Sequence, residues 1–506
     1  MLSKVYCASC KGLEATTVTV EVEVSDGICF YLVGLADNAI KESQQRIGSA
    51  LGKFGYRIPG KKIIINLAPA NLRKEGSAFD AAIAIGILTA SGQIETRWNK
   101  DFLIMGELAL DGSLRPIDGA LPIAIHAAEK GFKGCILPKE SAAECAEVEG
   151  TTIFYAQTLE DIINIITSPD TASSYIPLKR EYVPKKEWEY DFADVKGQAF
   201  AKKGLEIAAA GGHNAILVGS PGCGKTFMAK CIPSILPPME KQEAIETSKV
   251  YSIAGLLKSA GGLIRERPFR SPHHTSTIQS LAGSLGMPGE VSLAHNGVLF
   301  ADEIAEFGRA SLEILRQPLE DREIQVCRAK TRVCYPASFM LIAAMNPCPC
   351  GYLNDPKKNC TCSSSAIMKY AGKLSGPLMD RIDIQLNVKS VSPEDIVGLG
   401  KTCEEPSREI AKRVKAARDI QLERFKGENF YTNAQIPAGK LAKYCRIGER
   451  EQLFLKNFIA RQGISARGYS RILKISRTIA DLDGKDFISL EHISKAVQLK
   501  LNINDF

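Results

Sequence analysis

One eight-residue run constrains the fold of this 506-residue chain more than any other: Gly219-Ser220-Pro221-Gly222-Cys223-Gly224-Lys225-Thr226, which fits G-x-x-x-x-G-K-[ST]. It follows the apolar run Ala215 to Val218 and precedes a helix expected from Phe227. In a strand–turn–helix setting the glycines let successive backbone N–H groups turn inward at a helix N-terminus and cradle the phosphates of a nucleotide. Lys225 adds a positive point charge, and the Thr226 hydroxyl can ligate Mg²⁺. A glycine-rich turn that binds nothing is the alternative, and the flanking strand and helix weigh against it. The motif also commits its surroundings to a parallel α/β sheet, with further buried strands expected at Val298–Phe300 and Phe339–Ala344.

Gly297-Val298-Leu299-Phe300-Ala301-Asp302-Glu303 is an apolar strand that ends in two acids. Beside a phosphate site, Asp302 would hold the Mg²⁺ shell and Glu303 would polarise an attacking water, which reads as ATP hydrolysis and not only binding. The bland alternative is that Asp302 caps a helix.

Around this centre the chain divides into three. Residues 1–166 alternate strands (Thr16–Val24, Lys62–Leu67, Phe102–Leu110, Cys135–Leu137) with helices (Phe79–Ala90 and near Ala120–Lys130), which predicts an α+β domain. Residues 167–190 mix Pro, Ser, Lys and Glu without periodicity and read as a linker. The α/β core should run over 191–392. From 393 to 506 helical spacing dominates (407–425, 452–461, 467–482, 490–499), which predicts a helical bundle. No apolar run approaches the ~18 residues of a membrane span, and Met1–Cys7 lacks a secretory signal, so a cytoplasmic protein with reduced thiols is expected. The 64 basic and 57 acidic residues leave a net +7, compatible with a nucleic-acid partner without specifying one.

Three further stretches carry a resemblance: Pro268-Phe269-Arg270-Ser271-Pro272-His273-His274-Thr275, Pro288 to Gly297, and Asn346-Pro347-Cys348-Pro349-Cys350-Gly351. They are similar to the AAA+ ATPases and, within them, to the magnesium-chelatase-like ComM/YifB family, over nearly the whole chain. The resemblance implies a Lon-protease-like α+β N-terminal domain, an AAA+ parallel α/β core and an all-helical C-terminal lid. It also implies that Asn346 is sensor 1, that Arg381 in Met379-Asp380-Arg381-Ile382-Asp383 is an arginine finger, and that Arg467 in Ser465-Ala466-Arg467-Gly468 is sensor 2. A finger acting on a neighbour's γ-phosphate implies a homo-oligomeric ring, expected to be a hexamer. Without these motifs, a surface ion pair is the better reading of either arginine.

Glu323 to Tyr335 consists of two alternating runs around a basic turn and looks like the pre-sensor-1 hairpin that related helicase rings, such as the MCM proteins, project into a central pore. Arg328, Lys330 and Arg332 carry no intervening acid, so a ring of six would form a positive collar for branched or single-stranded DNA. A solvated hairpin edge explains the same residues without a partner. His273 and His274, read on a strand, point apart and make a poor chelating pair. Cys348, Cys350, Cys360 and Cys362 form C-x-C, nine residues, C-x-C. Four thiolates can close a structural Zn²⁺ site, and unliganded thiols are the alternative.

Arg73 to Asp80, Met105 to Leu108 and Asp118 to Leu121 resemble the Lon-protease domain, but the positions of its Ser–Lys dyad fall on Ala78 and Leu121, so peptidase chemistry is not expected. Three functions then compete. The family implies an ATP-driven DNA motor of branch migration in recombination or natural transformation. A magnesium-chelatase ATPase subunit would resemble only residues from about 190 onward and carry an integrin-type metal-binding domain not seen here. A nucleotide-gated scaffold is the third.

Overall fold

The computed structural model describes residues 1–506 except 36, 38, 39, 41, 73, 75, 97–99, 169–171, 173, 178–187, 258–261, 329–330, 391–403 and 502–506. The linker expected at 167–190 lies largely outside the described residues, and so does the junction near 392.

The N-terminal region is built on a seven-stranded mixed sheet in the order Phe30–Val33, Lys62–Ala68, Glu14–Ser25, Leu2–Lys11, Phe102–Ile104, Gly134–Pro138, Thr152–Ala156. Val18, Val20, Val22 and Val24 of the second strand are buried, as their period of two requires. They lie under the helix Asp80–Ala90, nearly every residue of which is buried. Gly86 permits that contact, since a Cβ there would lie 2.6 Å from Val22 Cγ2. The first strand, Leu2–Lys11, and the strands Phe30–Val33 and Thr152–Ala156 were not apparent from periodicity. Leu2–Lys11 alternates imperfectly because Cys7 and Ala8 are both buried.

The positions of the Lon-type dyad carry other work. The Leu121 side chain is buried, and its N–H donates to Ser252 Oγ at 3.1 Å, while Gly119 N–H donates to Ser252 O at 2.9 Å. Ser77 Oγ is hydrogen-bonded to Glu107, and the buried Lys74 ammonium donates to the carbonyls of Leu67 at 2.8 Å and Gly34 at 3.2 Å. Leu121 and Gly119 thus form part of a joint against the helix Lys241–Ile253 of the core, which the ion pairs Arg265–Glu147 and Lys241–Glu149 also bridge.

That core is a five-stranded sheet, parallel throughout, in the order Phe269–Arg270, Val298–Ala301, Met340–Met345, Ala215–Gly219, Ile384–Val388. Its central strands are buried on both faces, which is why they read as continuous apolar runs. The helices Ser407–Arg424, Glu449–Gln462, Ala466–Leu482 and Leu490–Leu501 form the C-terminal bundle. It shares one hydrophobic core with the sheet across the helix Ala199–Gly211, where Arg418 donates to Ala209 O and Gln421 to Ala210 O. Among the described residues no helix is long and apolar enough to cross a membrane.

Candidate nucleotide site

The glycine-rich loop leaves the C-terminal end of the central strand Ala215–Gly219 and enters the helix Lys225–Cys231. Gly222 and Gly224 have φ of +78° and +94°, and a Cβ at either would meet nothing within 4 Å. These glycines are therefore needed for the inward turn of the backbone and not for tight packing. Lys225 Nζ donates to Gly219 O at 2.6 Å, to Ser220 O at 3.0 Å and to Asn346 Oδ1 at 3.2 Å. Burial draws the Lys225 ammonium below its usual range, against the pull of Asp302 and Glu303 nearby.

Thr226 Oγ1 donates to Asp302 Oδ2 at 2.9 Å, so two hard oxygen donors from chain positions 76 residues apart meet beside the loop. That donor set fits Mg²⁺, and the cradle of N–H groups fits a triphosphate. Glu303 follows with φ +49°, a left-handed conformation unusual for a non-glycine residue, and its side chain is 58% exposed. His274 Nδ1 lies 3.9 Å from Glu303 Oε2. His273 and His274 occupy a turn, not a strand, and their rings are 4.1 Å apart, which corrects the expectation that they diverge.

Arg381 and Arg467 lie elsewhere. Arg381 precedes the strand Ile384–Val388, and Asp383 N–H donates to Asn214 O just before Ala215, which puts this segment at the N-terminal rim of the parallel sheet. The glycine-rich loop is at the C-terminal rim. The five residues of strand between them, at about 3.3 Å each, separate the rims by roughly 16 Å. Both guanidinium groups engage Glu320, Arg467 Nη2 at 2.9 Å from Oε1 and Arg381 through Oε2.

Sequence reasoning missed the partners of these arginines. Glu320, Arg322, Arg381, Asp383, Arg467, Arg471 and Lys474 all line one cavity of about 430 Å³, five cations against two acids. Burial pushes the Arg322 guanidinium down to about 10 and the Lys474 ammonium down to about 8. Arg381 Nε and Arg471 Nη1 are buried without a hydrogen-bond partner. Such a cluster, short of negative charge, suits a phosphate. No local pattern announces it, because its members come from three separate stretches of chain.

A family model described as magnesium chelatase, subunit ChlI, matches residues 191–396; one described as subunit ChlI of Mg-chelatase matches 20–141; and its C-terminal companion matches 404–500. The competence protein ComM of Haemophilus influenzae is 40% identical over 505 residues, covering 98% of this chain and 97% of ComM. YifB of Escherichia coli is 37% identical over 502 residues, covering 99% and 97%. The chain belongs to the magnesium-chelatase-like ComM/YifB family of AAA+ proteins. Lon protease 2 of Bacillus subtilis is 26% identical over 147 residues, 28% of this chain and 26% of that one, in keeping with the Lon-like N-terminal domain of the ComM/YifB family. One expectation is corrected: a chelatase-type model also matches residues 20–141, so resemblance to the chelatase subunit does not begin near 190.

In this ComM/YifB chain the strands Glu323–Arg328 and Thr331–Pro336 pair antiparallel as expected for the hairpin. Arg328 and Arg332 are exposed; Lys330 lies outside the described residues. Arg328 faces Thr331 across the pair and Arg332 faces Cys327, so the two arginines point to opposite faces instead of forming one patch. The N-terminal domain packs against the middle of the hairpin: a Cβ at Gly12 would lie 2.7 Å from Val333 Cγ1.

The four sulfurs of Cys348, Cys350, Cys360 and Cys362 lie within 4.8 Å of one another. Hydrogen bonds from the N–H groups of Tyr352 and Thr361 draw the Cys350 thiol down to about 6. The Cys7-x-x-Cys10 pair is not a site: Cys7 Sγ bonds to Val18 O and Cys10 Sγ to Gly119 O.

Proposed function

We propose that this chain is an ATP-hydrolysing ring motor that acts on DNA, a branch-migration helicase of homologous recombination or natural transformation. The observation that carries the ring is the position of Arg381 and Arg467 on the sheet rim opposite Gly219–Thr226, from which neither reaches phosphates bound by its own chain. In a ring, most simply a hexamer, the cationic cavity of one subunit meets the nucleotide of the next.

Within one site the residues divide the work. Backbone N–H groups of 219–226 and the Lys225 ammonium bind the phosphates; Thr226 and Asp302 hold Mg²⁺, which supplies charge for the transferring phosphoryl group. Asn346, tied to Lys225, orients water, and Glu303 takes its proton. Arg381 and Arg467 of the adjacent copy stabilise charge as it develops, once released from Glu320. Arg328 and Arg332, one on each face of the hairpin, and Lys330 between them in sequence contact the DNA backbone. A structural Zn²⁺ at the four cysteines completes the bound groups, and the location is cytoplasmic.

What supports the DNA reading over metal insertion is end-to-end similarity to a protein named for competence, together with the exposed basic hairpin. The test is movement of fluorescent four-way junctions with ATP, comparing wild type with Lys225→Ala and with Arg328, Lys330 and Arg332 all changed to Ala. Junction movement by wild type alone supports the motor. ATP hydrolysis that junctions neither stimulate nor couple to strand movement would leave the scaffold reading in its place.

A further inference from the structure

The sulfurs of Cys348 and Cys350 are 3.4 Å apart, those of Cys350 and Cys360 3.6 Å, and those of Cys348 and Cys360 3.7 Å. Disulfide sulfurs would sit at about 2.05 Å, which excludes a bridge among them. A tetrahedron of thiolates at about 2.3 Å from Zn²⁺ has edges of about 3.8 Å, close to the spacing found. Backbone N–H groups point at the sulfurs, Cys350 N to Cys362 Sγ and Cys362 N to Cys360 Sγ, both at 3.4 Å, as donors do around metal-bound thiolates.

The loop that carries these cysteines has no regular secondary structure to order it. From Pro347 to Ser363 there is neither helix nor strand, and Asn354 and Pro356 to Asn359 are exposed. A long structureless stretch inside a compact domain with so little apolar burial needs a clasp.

The loop is also built into the nucleotide site. Cys348 is two residues beyond Asn346, whose Oδ1 accepts from Lys225 Nζ. Gly351, at φ +83°, runs so close to the glycine-rich loop that a Cβ would lie 2.6 Å from Pro221 Cδ. The Asp355 carboxylate is drawn below its ordinary value by the Ser220 hydroxyl first and then by the N–H groups of Lys357 and Lys358. Between the two loops lies a cavity of about 380 Å³, with Gly219 and Ser220 on one side and Leu353 and Asp355 on the other.

We propose that Cys348, Cys350, Cys360 and Cys362 hold a zinc ion that fastens the 347–362 loop onto the glycine-rich loop, so that nucleotide affinity depends on metal occupancy. The coupling rests on the reading of Gly219–Thr226 as the nucleotide site. Without the metal only weak sulfur hydrogen bonds hold the four thiols together; the loop then swings off Pro221 and loosens the hold on Asn346 and Ser220.

The test uses the full chain purified without added metal. Zinc released on titration with a mercurial should amount to about one per chain in wild type and none in the double variant Cys360→Ser/Cys362→Ser. Affinity for a fluorescent ATP analogue should fall at least tenfold when zinc is stripped and the thiols re-reduced, and should return when zinc is restored. Gly351→Ala keeps all four ligands: it should retain zinc yet weaken nucleotide binding, and it answers the question even if the double variant does not fold. Purification without zinc would overturn the metal site. Zinc present, with affinity unchanged on both stripping and Gly351→Ala, would overturn the coupling. Failure of wild type to bind any nucleotide would overturn the ATP reading and the coupling with it, while the zinc count would still report on the metal site alone.

Discussion

Arg381 and Arg467, 86 positions apart in the chain, close on the two oxygens of one carboxylate, Glu320, at the rim of the sheet farthest from the glycine-rich loop. One acid holding two arginines leaves the cluster one positive charge in excess before Arg322 and Lys474 are counted. An arriving phosphate would compete with Glu320 for both guanidinium groups at once.

Arg381→Ala and Arg467→Ala should each lower ATP turnover by at least about 10²-fold while leaving affinity for nucleotide in the same subunit nearly intact. Mixing Arg381→Ala with Glu303→Gln subunits, each inactive alone, should restore part of the activity, because some interfaces then pair an intact Glu303 with an intact Arg381. Phosphate release from the mixture measures this; no recovery would mean that the arginines do not act across an interface.

Glu303→Gln should bind ATP as wild type does yet hydrolyse it roughly 10²- to 10⁴-fold more slowly, the usual worth of a positioned base. Lys225→Ala should instead lose binding, since its ammonium is the charge placed at the phosphates. Equilibrium titration beside phosphate release separates the two.

Changing Arg328, Lys330 and Arg332 to Ala should weaken DNA binding without regard to sequence. The slope of log affinity against log salt should flatten by about 0.7 to 0.9 for each phosphate that the hairpin no longer neutralises. Binding isotherms at several salt concentrations give that slope, and an unchanged slope would move the DNA-binding surface away from the hairpin.

Asp383 is buried between lid and core, with Arg471 Nε 3.2 Å from its Oδ1, His213 Nδ1 3.7 Å from its Oδ2, and Asn214 N–H donating at 3.1 Å. Burial by itself would raise its carboxyl; Arg471, His213 and the N–H of Asn214 overcome that and hold it well below the usual carboxylate range. A carboxyl whose folded value is depressed contributes stability that is present above its unfolded value and lost as pH falls below it. Asp383→Ala should therefore cost roughly 3–5 kcal/mol at neutral pH, by orphaning Arg471 inside the protein. The difference from wild type should shrink below about pH 4, where the unfolded carboxyl takes up its proton. Urea unfolding at pH 7 and at acid pH checks both statements.

The sites legible from the sequence are those whose parts are neighbours along the chain. Gly219–Thr226 and Asp302–Glu303 follow apolar strands, so one segment supplies both the element and the chemistry. The four cysteines could be suspected from spacing alone. The long amphipathic helices of the C-terminal bundle were readable for the same reason. Two other strands were not: Phe269–Arg270, at a sheet edge, has two residues, too few for any period to show, and the ten-residue central strand Leu2–Lys11 buries Cys7 and Ala8 in succession.

The sequence alone determined a parallel nucleotide-binding core between an α+β domain and a helical bundle, because hydrophobic period and phosphate-loop geometry are local properties. Only the tertiary structure decided that Arg381 and Arg467 share Glu320 across the sheet from the glycine-rich loop, that His273 and His274 lie together in a turn with His274 beside Glu303, and that Leu121, at one Lon-type dyad position, meets Ser252. Each of these depends on which distant segments the fold packs together, and a side chain's neighbours across a fold are set by packing, not by its place in the chain.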